Sequence, residues 1–194
     1  LITNGMGEYR EKSSAFTSFS FSINSFDDVK FNLKELKDKF SDASHICYAY
    51  RLIAGNVINE FSTDAGEPKG SSGIPILNNL KRHELINSVV FVIRYFGGSK
   101  LGIPGLIHAY GESTLNCLNN SQIGPWIKKD NFRIKSNYES LGIVEKIIKQ
   151  FDGIILNKDY SNEINITLEI KRMSSSNFEN HFTELKYVEI IKEN

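Results

Sequence analysis

The 194-residue sequence is short of the features that announce several protein classes: it has two cysteines, one tryptophan, four prolines and no net charge. Cys47 and Cys117 sit inside apolar patterns without a second pair or ligand spacing, so neither a disulfide framework nor a metal site is expected. No stretch approaches the roughly 18 apolar residues that span a bilayer, and no basic segment leads into an apolar one at the N-terminus. A reducing, cytoplasmic setting without a membrane partner is therefore expected. Lysine plus arginine and aspartate plus glutamate both number 23, divided 12 against 12 before residue 124 and 11 against 11 after it. Neither half carries the excess that drives non-specific nucleic-acid binding, so any such site must be a local patch.

What is present is a chain long enough for two small domains, with a break at the linker-like residues 121–125. In residues 14–23, Phe19, Phe21 and Ile23 alternate while Phe16 falls out of phase, which predicts a strand with a bulge or at an edge. Asp27 or Asp28 is expected to cap a helix over 28–40. Residues 45–53 are apolar on both faces and predict a central strand; Gly55-Asn56 signals a turn into a second strand over 57–62. The β-branched run 89–93 predicts a core strand, and Tyr110, Thr114, Cys117 and Leu118 share one stripe of a following helix. Leu1–Gly5 receives no structural role. The remainder reads strand 132–137, helix 140–151, strand 154–157, strand 164–170, helix 174–185 and strand 187–191, a βαββαβ order in which two helices cover one sheet face. Its opposite face carries Arg133, Lys135, Asn165, Thr167 and Glu169, without the aromatics that RNA-binding sheets stack on bases.

Two segments carry unusual chemistry. Asp64-Ala65-Gly66-Glu67-Pro68-Lys69-Gly70-Ser71-Ser72-Gly73 ends where a helix begins, with Ser71 or Ser72 as its cap. Unpaired N–H groups and the helix dipole would favour an anion there, phosphate above all, with Lys69 beside it. Arg94-Tyr95-Phe96-Gly97-Gly98-Ser99-Lys100 repeats the plan, with a helix expected near Pro104. Together Lys69, Gly70, Ser71, Ser72, Gly73, Arg94, Tyr95, Gly97, Gly98 and Lys100 form a candidate anion or nucleic-acid site. The same glycines would equally serve a tight capped loop with solvated cations. His45, Asp64 and Glu67 are the catalytic candidates, able to do acid–base work or hold a metal only if the fold brings them together.

Three stretches in order resemble the signature of the IMPACT family, including its bacterial YigZ-type members: residues 43–51, Asp64 to Pro75, and Arg94 through Leu106 with Ala109-Tyr110. The resemblance covers about residues 8–120, and the terminal segment is similar to the small domain attached to bacterial members. It implies an α+β protein with a ribosomal protein S5 domain 2-like domain over 8–123 and a ferredoxin-like βαββαβ plait over 126–194, both similar to pieces of translation factors. It also implies relatives that restrain the translation-control kinase of amino-acid starvation, helped by an additional RWD domain for which these residues leave no room. Three positions depart from the family pattern: Pro104 stands where glycine is usual, and His108 and Ala15 stand where cations are usual.

The expected function is that of a translation-associated regulator or binding protein, with the ribosome or structured RNA, or proteins of the translation machinery, as partner and no cofactor. One rival is a hydrolase-like small-molecule enzyme using His45, Asp64 and Glu67. A third is a protein-interaction module built on the plait.

Overall fold

The computed structural model describes residues 1–194 except Asn56, Asn162 and Asn194. The chain divides into two compact units, Leu1–Gly124 and Pro125–Asn194. It is a mixed α and β protein with two antiparallel sheets. Among the described residues no helix is long and apolar enough to cross a membrane.

Unit 1 holds β1 (Met6–Glu11), β2 (Ser14–Ser22), α1 (Phe26–Lys39), β3 (His45–Ala54), β4 (Val57–Thr63), α2 (Gly73–Arg82), β5 (Ser88–Tyr95) and α3 (Gly102–Asn119). The sheet order is β1-β2-β5-β3-β4. Side-chain alternation sorts the interior strands β2, β3 and β5 between two cores. Phe16, Cys47, Ala49, Val90 and Val92 pack with Ile76, Leu80, Leu106 and Tyr110 under α2 and α3. Val89, Phe91 and Ile93 pack with Val29 and Leu36 of α1, flanked by Phe19, Phe21 and Tyr48.

This two-sided burial corrects the reading of residues 14–23. β2 is an interior strand, bonded to β1 on one side and β5 on the other without a register shift. Phe16 is out of phase because it faces α2 and α3 while Phe19 and Phe21 face α1. The cap of α1 is also displaced: Ser25, not Asp27 or Asp28, is the capping residue. Its hydroxyl accepts from the Asp28 amide while the Asp28 carboxylate accepts from the Ser25 amide. Asn56 of the expected turn lies outside the described residues.

The first residues do have a structural role. The Ile2 amide donates to the Gln122 carbonyl at 2.8 Å, and the Gly5 amide donates to Ser20 Oγ at 2.7 Å. β1 then runs so close beneath α3 that a Cβ on Gly7 would lie 2.3 Å from the Cys117 backbone nitrogen. Buried Ser18 completes this close approach by donating to the Ser113 carbonyl at 2.6 Å.

Unit 2 holds β6 (Lys129–Ser136), α4 (Leu141–Gln150), β7 (Ile154–Tyr160), β8 (Ile164–Lys171), α5 (Ser175–Asn180) and β9 (Val188–Glu193), in sheet order β7-β8-β6-β9. Ile134, Ile166 and Leu168 meet Val144, Ile148 and Phe178 in its core. The last helix is shorter than the expected 174–185: a 3-10 turn over Arg172–Ser174 leads into α5, which stops at Asn180. Phe182 still reaches the core through its ring contact with Phe178, at 5.0 Å between centroids. On the other sheet face Arg133 pairs with Glu193, Lys135 with Glu189 and Lys129 with Glu169, so its cations are matched by neighbouring carboxylates.

Gly7→Ala should destabilise the protein by about 1–3 kcal/mol, because the added methyl meets backbone that cannot step aside. Gly142→Ala, in the first turn of α4 with nothing within 4 Å, should be neutral or stabilising by up to about 1 kcal/mol. Urea unfolding of the two variants measures both signs; equal effects would contradict the packing described.

Candidate functional site

The candidate residues gather at one end of the first sheet. Register pairs His45 and Phe16 with Arg94, and Tyr48 with Thr63, so the β1–β2 turn, the start of β3, the end of β4 and the end of β5 share that edge. The loop 64–72 and the loop 96–101 lead from it into α2 and α3.

The first loop is closed by its own carboxylate. Asp64 Oδ1 accepts from the Gly73 amide at 2.8 Å, the Ser72 amide at 3.1 Å and the Ser72 hydroxyl at 2.8 Å, while Oδ2 accepts from the Gly70 amide at 2.7 Å. Burial alone would raise the Asp64 carboxyl, but these donors outweigh it and hold its pKa below the usual 3.8. The expected phosphate seat at Gly70, Ser71, Ser72 and Gly73 is thus corrected: an internal anion already takes the amides of Gly70, Ser72 and Gly73, and the Ser71 amide donates to the Pro68 carbonyl. Neither serine side chain caps α2; Ser72 occupies the capping position without a side-chain bond to the helix, and Asp64 supplies the cap from outside. Lys69 remains exposed.

Glu67 turns inward to Arg94. The Arg94 Nη1 donates to Glu67 Oε1 at 2.6 Å, and the Tyr110 hydroxyl donates to the same oxygen at 2.8 Å. Both charged side chains are buried, at 6% and 3% exposure, which makes this an interior ion pair of the kind whose rupture costs about 3–5 kcal/mol. Cys47 lies beneath, its sulfur 3.3 Å from the Tyr110 oxygen and 3.0 Å from the Asp64 carbonyl. Burial pushes its thiol up to about 11, so it is not a thiolate nucleophile at neutral pH. His45 bonds through Nδ1 to the Ala65 carbonyl at 2.9 Å.

The three catalytic candidates do converge: His45, Asp64 and Glu67 are neighbours, with His45 bonded to the Ala65 carbonyl, Asp64 to the amides that open α2, and Glu67 to Arg94 and Tyr110. Among the described residues, no three His, Cys, Asp or Glu side chains gather where they could hold a metal.

The second loop is different. The Phe96 amide donates to Ser44 Oγ and the Gly97 amide to Ser14 Oγ, each at 3.1 Å. Gly97 is required, since a Cβ there would lie 2.1 Å from the Ser13 carbonyl carbon in the β1–β2 turn. Past this anchor, the amides of Gly98, Ser99 and Lys100 donate to no described residue. α3 begins at Gly102 rather than near Pro104, with no side-chain cap and no acidic residue in its first turn. Lys12, Lys69 and Lys100 are exposed and form no ion pair among the described residues. Tyr95 points to the other side of the sheet, its hydroxyl bonded to Asp42, and is not part of this surface.

Sequence reasoning missed Phe96. β5 parity places Arg94 on the face covered by α2 and α3, and the chain carries Phe96 onto the same side just past the strand end. The Arg94 guanidinium lies between Phe16 and Phe96, 5.5 and 5.4 Å from the ring centroids. Of the departing positions, Ala15 pairs with Arg10 and Tyr95 inside the sheet, Pro104 lies in the first turn of α3, and His108 meets Tyr9 edge-on.

The architecture defines a two-unit α+β protein whose first unit gathers two helix-entering glycine loops at one sheet end. Residues 12–118 match the Impact N-terminal domain, and the chain belongs to the IMPACT family. It is 31% identical over 156 residues to the IMPACT family member YvyE of Bacillus subtilis, covering 79% of this chain and 70% of that one. It is 28% identical over 150 residues to YigZ of Escherichia coli, covering 77% and 74%. A crystal structure described as that of a hypothetical protein shares the fold at a TM-score of 0.71 and 22% identity, covering 99% of this chain and 95% of that one.

Asp64→Asn should destabilise the protein by about 2 kcal/mol or more at neutral pH, because a charged acceptor of four hydrogen bonds is lost. The folded pKa lies below the unfolded value, so this stabilisation is complete above about pH 4 and disappears as pH falls through the folded pKa. Urea midpoints of the wild type and the variant should converge as pH is lowered through the folded pKa; a difference unchanged with pH would contradict the carboxylate cap.

Proposed function

We propose that this protein is a cytoplasmic, translation-associated regulator or binding protein that takes a phosphate-bearing ligand, structured RNA above all, at the sheet end of its first unit. The observation that carries this reading is the loop that leads into α3: among the described residues the amides of Gly98, Ser99 and Lys100 have no partner, the helix that follows has no side-chain cap, and Lys12, Lys69 and Lys100, on the turn and the two loops of this sheet end, form no ion pair. An uncapped helix N-terminus favours negative charge, and the nearby carboxylates Asp64 and Glu67 are turned inward. The seat differs from the one expected from sequence, because Asp64 takes the amides of Gly70, Ser72 and Gly73 and the Ser71 amide goes to the Pro68 carbonyl, leaving Lys69 as the first loop's charged contribution. Membership of the IMPACT family supports the translation setting.

We propose further that the first unit has the fold of ribosomal protein S5 domain 2 and the second that of the ferredoxin-like plait. The order β7-β8-β6-β9 with helices between successive strand pairs supports the latter. The second unit would add contacts or orientation.

Binding to an RNA hairpin should weaken with salt, with a log–log slope of roughly −0.7 to −0.9 per phosphate contact, or about −2 to −3 for three cations. Lys100→Ala should flatten this slope by about one contact. Electrophoretic or anisotropy titration across salt concentrations measures both; absent or salt-independent binding would overturn the reading.

A further inference from the structure

We infer that Phe96 is a stacking platform for an unpaired nucleobase whose adjoining phosphate rests on the amides of Gly98–Lys100, so that the preferred ligand is single-stranded RNA or an unpaired loop nucleotide. This rests on the anion-binding reading of the same sheet end and adds what selects among phosphate-bearing ligands.

Phe96 is 50% exposed although it sits at the root of a packed sheet. It is held in place: its amide is bonded to Ser44, the next amide is bonded to Ser14, and the Arg94 guanidinium lies 5.4 Å from its ring centroid. An aromatic fixed from behind and open in front loses little freedom when a second ring stacks on it, and every base offers a π-face. Arg94 is 5% exposed, and its Nε is the buried side-chain donor without an acceptor among the described residues.

The chain from Phe96 to Lys100 sets an aromatic ring, then a glycine with φ of +84°, then amides that donate to nothing, in that order. A nucleotide offers the matching order of base, sugar and phosphate. Lys12 belongs to the turn that packs on Gly97, and Lys69 to the loop that Glu67 anchors to Arg94. Ile74 and Ile103 are also exposed nearby at the starts of α2 and α3, a composition shared with membrane-binding surfaces. The loop tip Gly98-Ser99-Lys100 is polar, however, and the one aromatic is held against the sheet, which suits stacking rather than insertion among acyl chains.

The test is anisotropy titration of the full chain with three fluorescent probes of equal length: an oligoadenylate, an abasic ribose-phosphate chain and a blunt RNA duplex. The oligoadenylate should bind on the order of 10-fold more tightly than the abasic chain. Phe96→Ala and Phe96→Leu should each abolish that preference while leaving abasic binding unchanged, and Phe96→Tyr should retain it. Equal binding of all three probes, or a preference that survives Phe96→Leu, would overturn the stacking inference and leave the anion site standing. No binding of any probe would overturn both, as would binding to phosphatidylserine vesicles without binding to RNA.

Discussion

The sheet end of the first unit depends on one carboxylate. Asp64 leaves β4 and sets its two oxygens on the amides of Gly70, Ser72 and Gly73 and the Ser72 hydroxyl, neutralising the positive end of α2 from within the chain. That seat fixes the course of the glycine loop, and the fixed course carries Glu67 down to Arg94. The pair then braces the end of β5, from which the second loop departs. A feature that looks from its sequence like a receptor for an external anion is instead the device that holds the neighbouring surface in shape. Of the three helices of the first unit, α3 is the one that begins with neither a side-chain cap nor an internal carboxylate on its amides among the described residues.

Burial on both faces of the sheet gives this arrangement its direction. Because β5 is covered by α1 on one side and by α2 and α3 on the other, its alternation assigns Tyr95 to one layer and Arg94 to the opposite one. Arg94 would be costly there without a partner; Glu67 supplies the anion, its Oε1 also accepting from the Tyr110 hydroxyl, and the Phe16 and Phe96 rings flank the guanidinium. The small residues Gly5, Gly7 and Ser18 serve a parallel purpose at the far side of the sheet, where α3 approaches β1 and β2 so closely that side chains have no room. The sheet end is thus held by interior strands, β2, β3 and β5, that are packed on both faces.

Much of the fold was legible from spacing. The block 89–93 reads as a core strand and lies in β5, and the alternation of Ile164, Ile166, Leu168 and Ile170 marks the buried side of β8. Phe16 misled because the phase it shares with Ser14, Ser18 and Ser20 reads as the polar side of the strand, yet those serines are buried. The first strand was missed because Met6–Glu11 alternates weakly; its apolar partner is the backbone of α3 rather than a set of side chains. The site was legible as a place and not as a mechanism. The two glycine loops, His45, Asp64 and Glu67 do share one sheet end, but spacing cannot tell a carboxylate that awaits a ligand from one that caps the next helix, nor could it show that Phe96 rather than Tyr95 faces the open side.

The most direct examination of this account is an amide-resolved NMR titration of the full chain with inorganic phosphate. An α2 terminus filled by Asp64 and unpartnered loop amides ahead of α3 require saturable shifts at Gly98, Ser99 and Lys100, with Gly70, Ser72 and Gly73 unmoved. Shifts at the Gly70–Gly73 amides, or a silent Gly98–Lys100 segment, would contradict it.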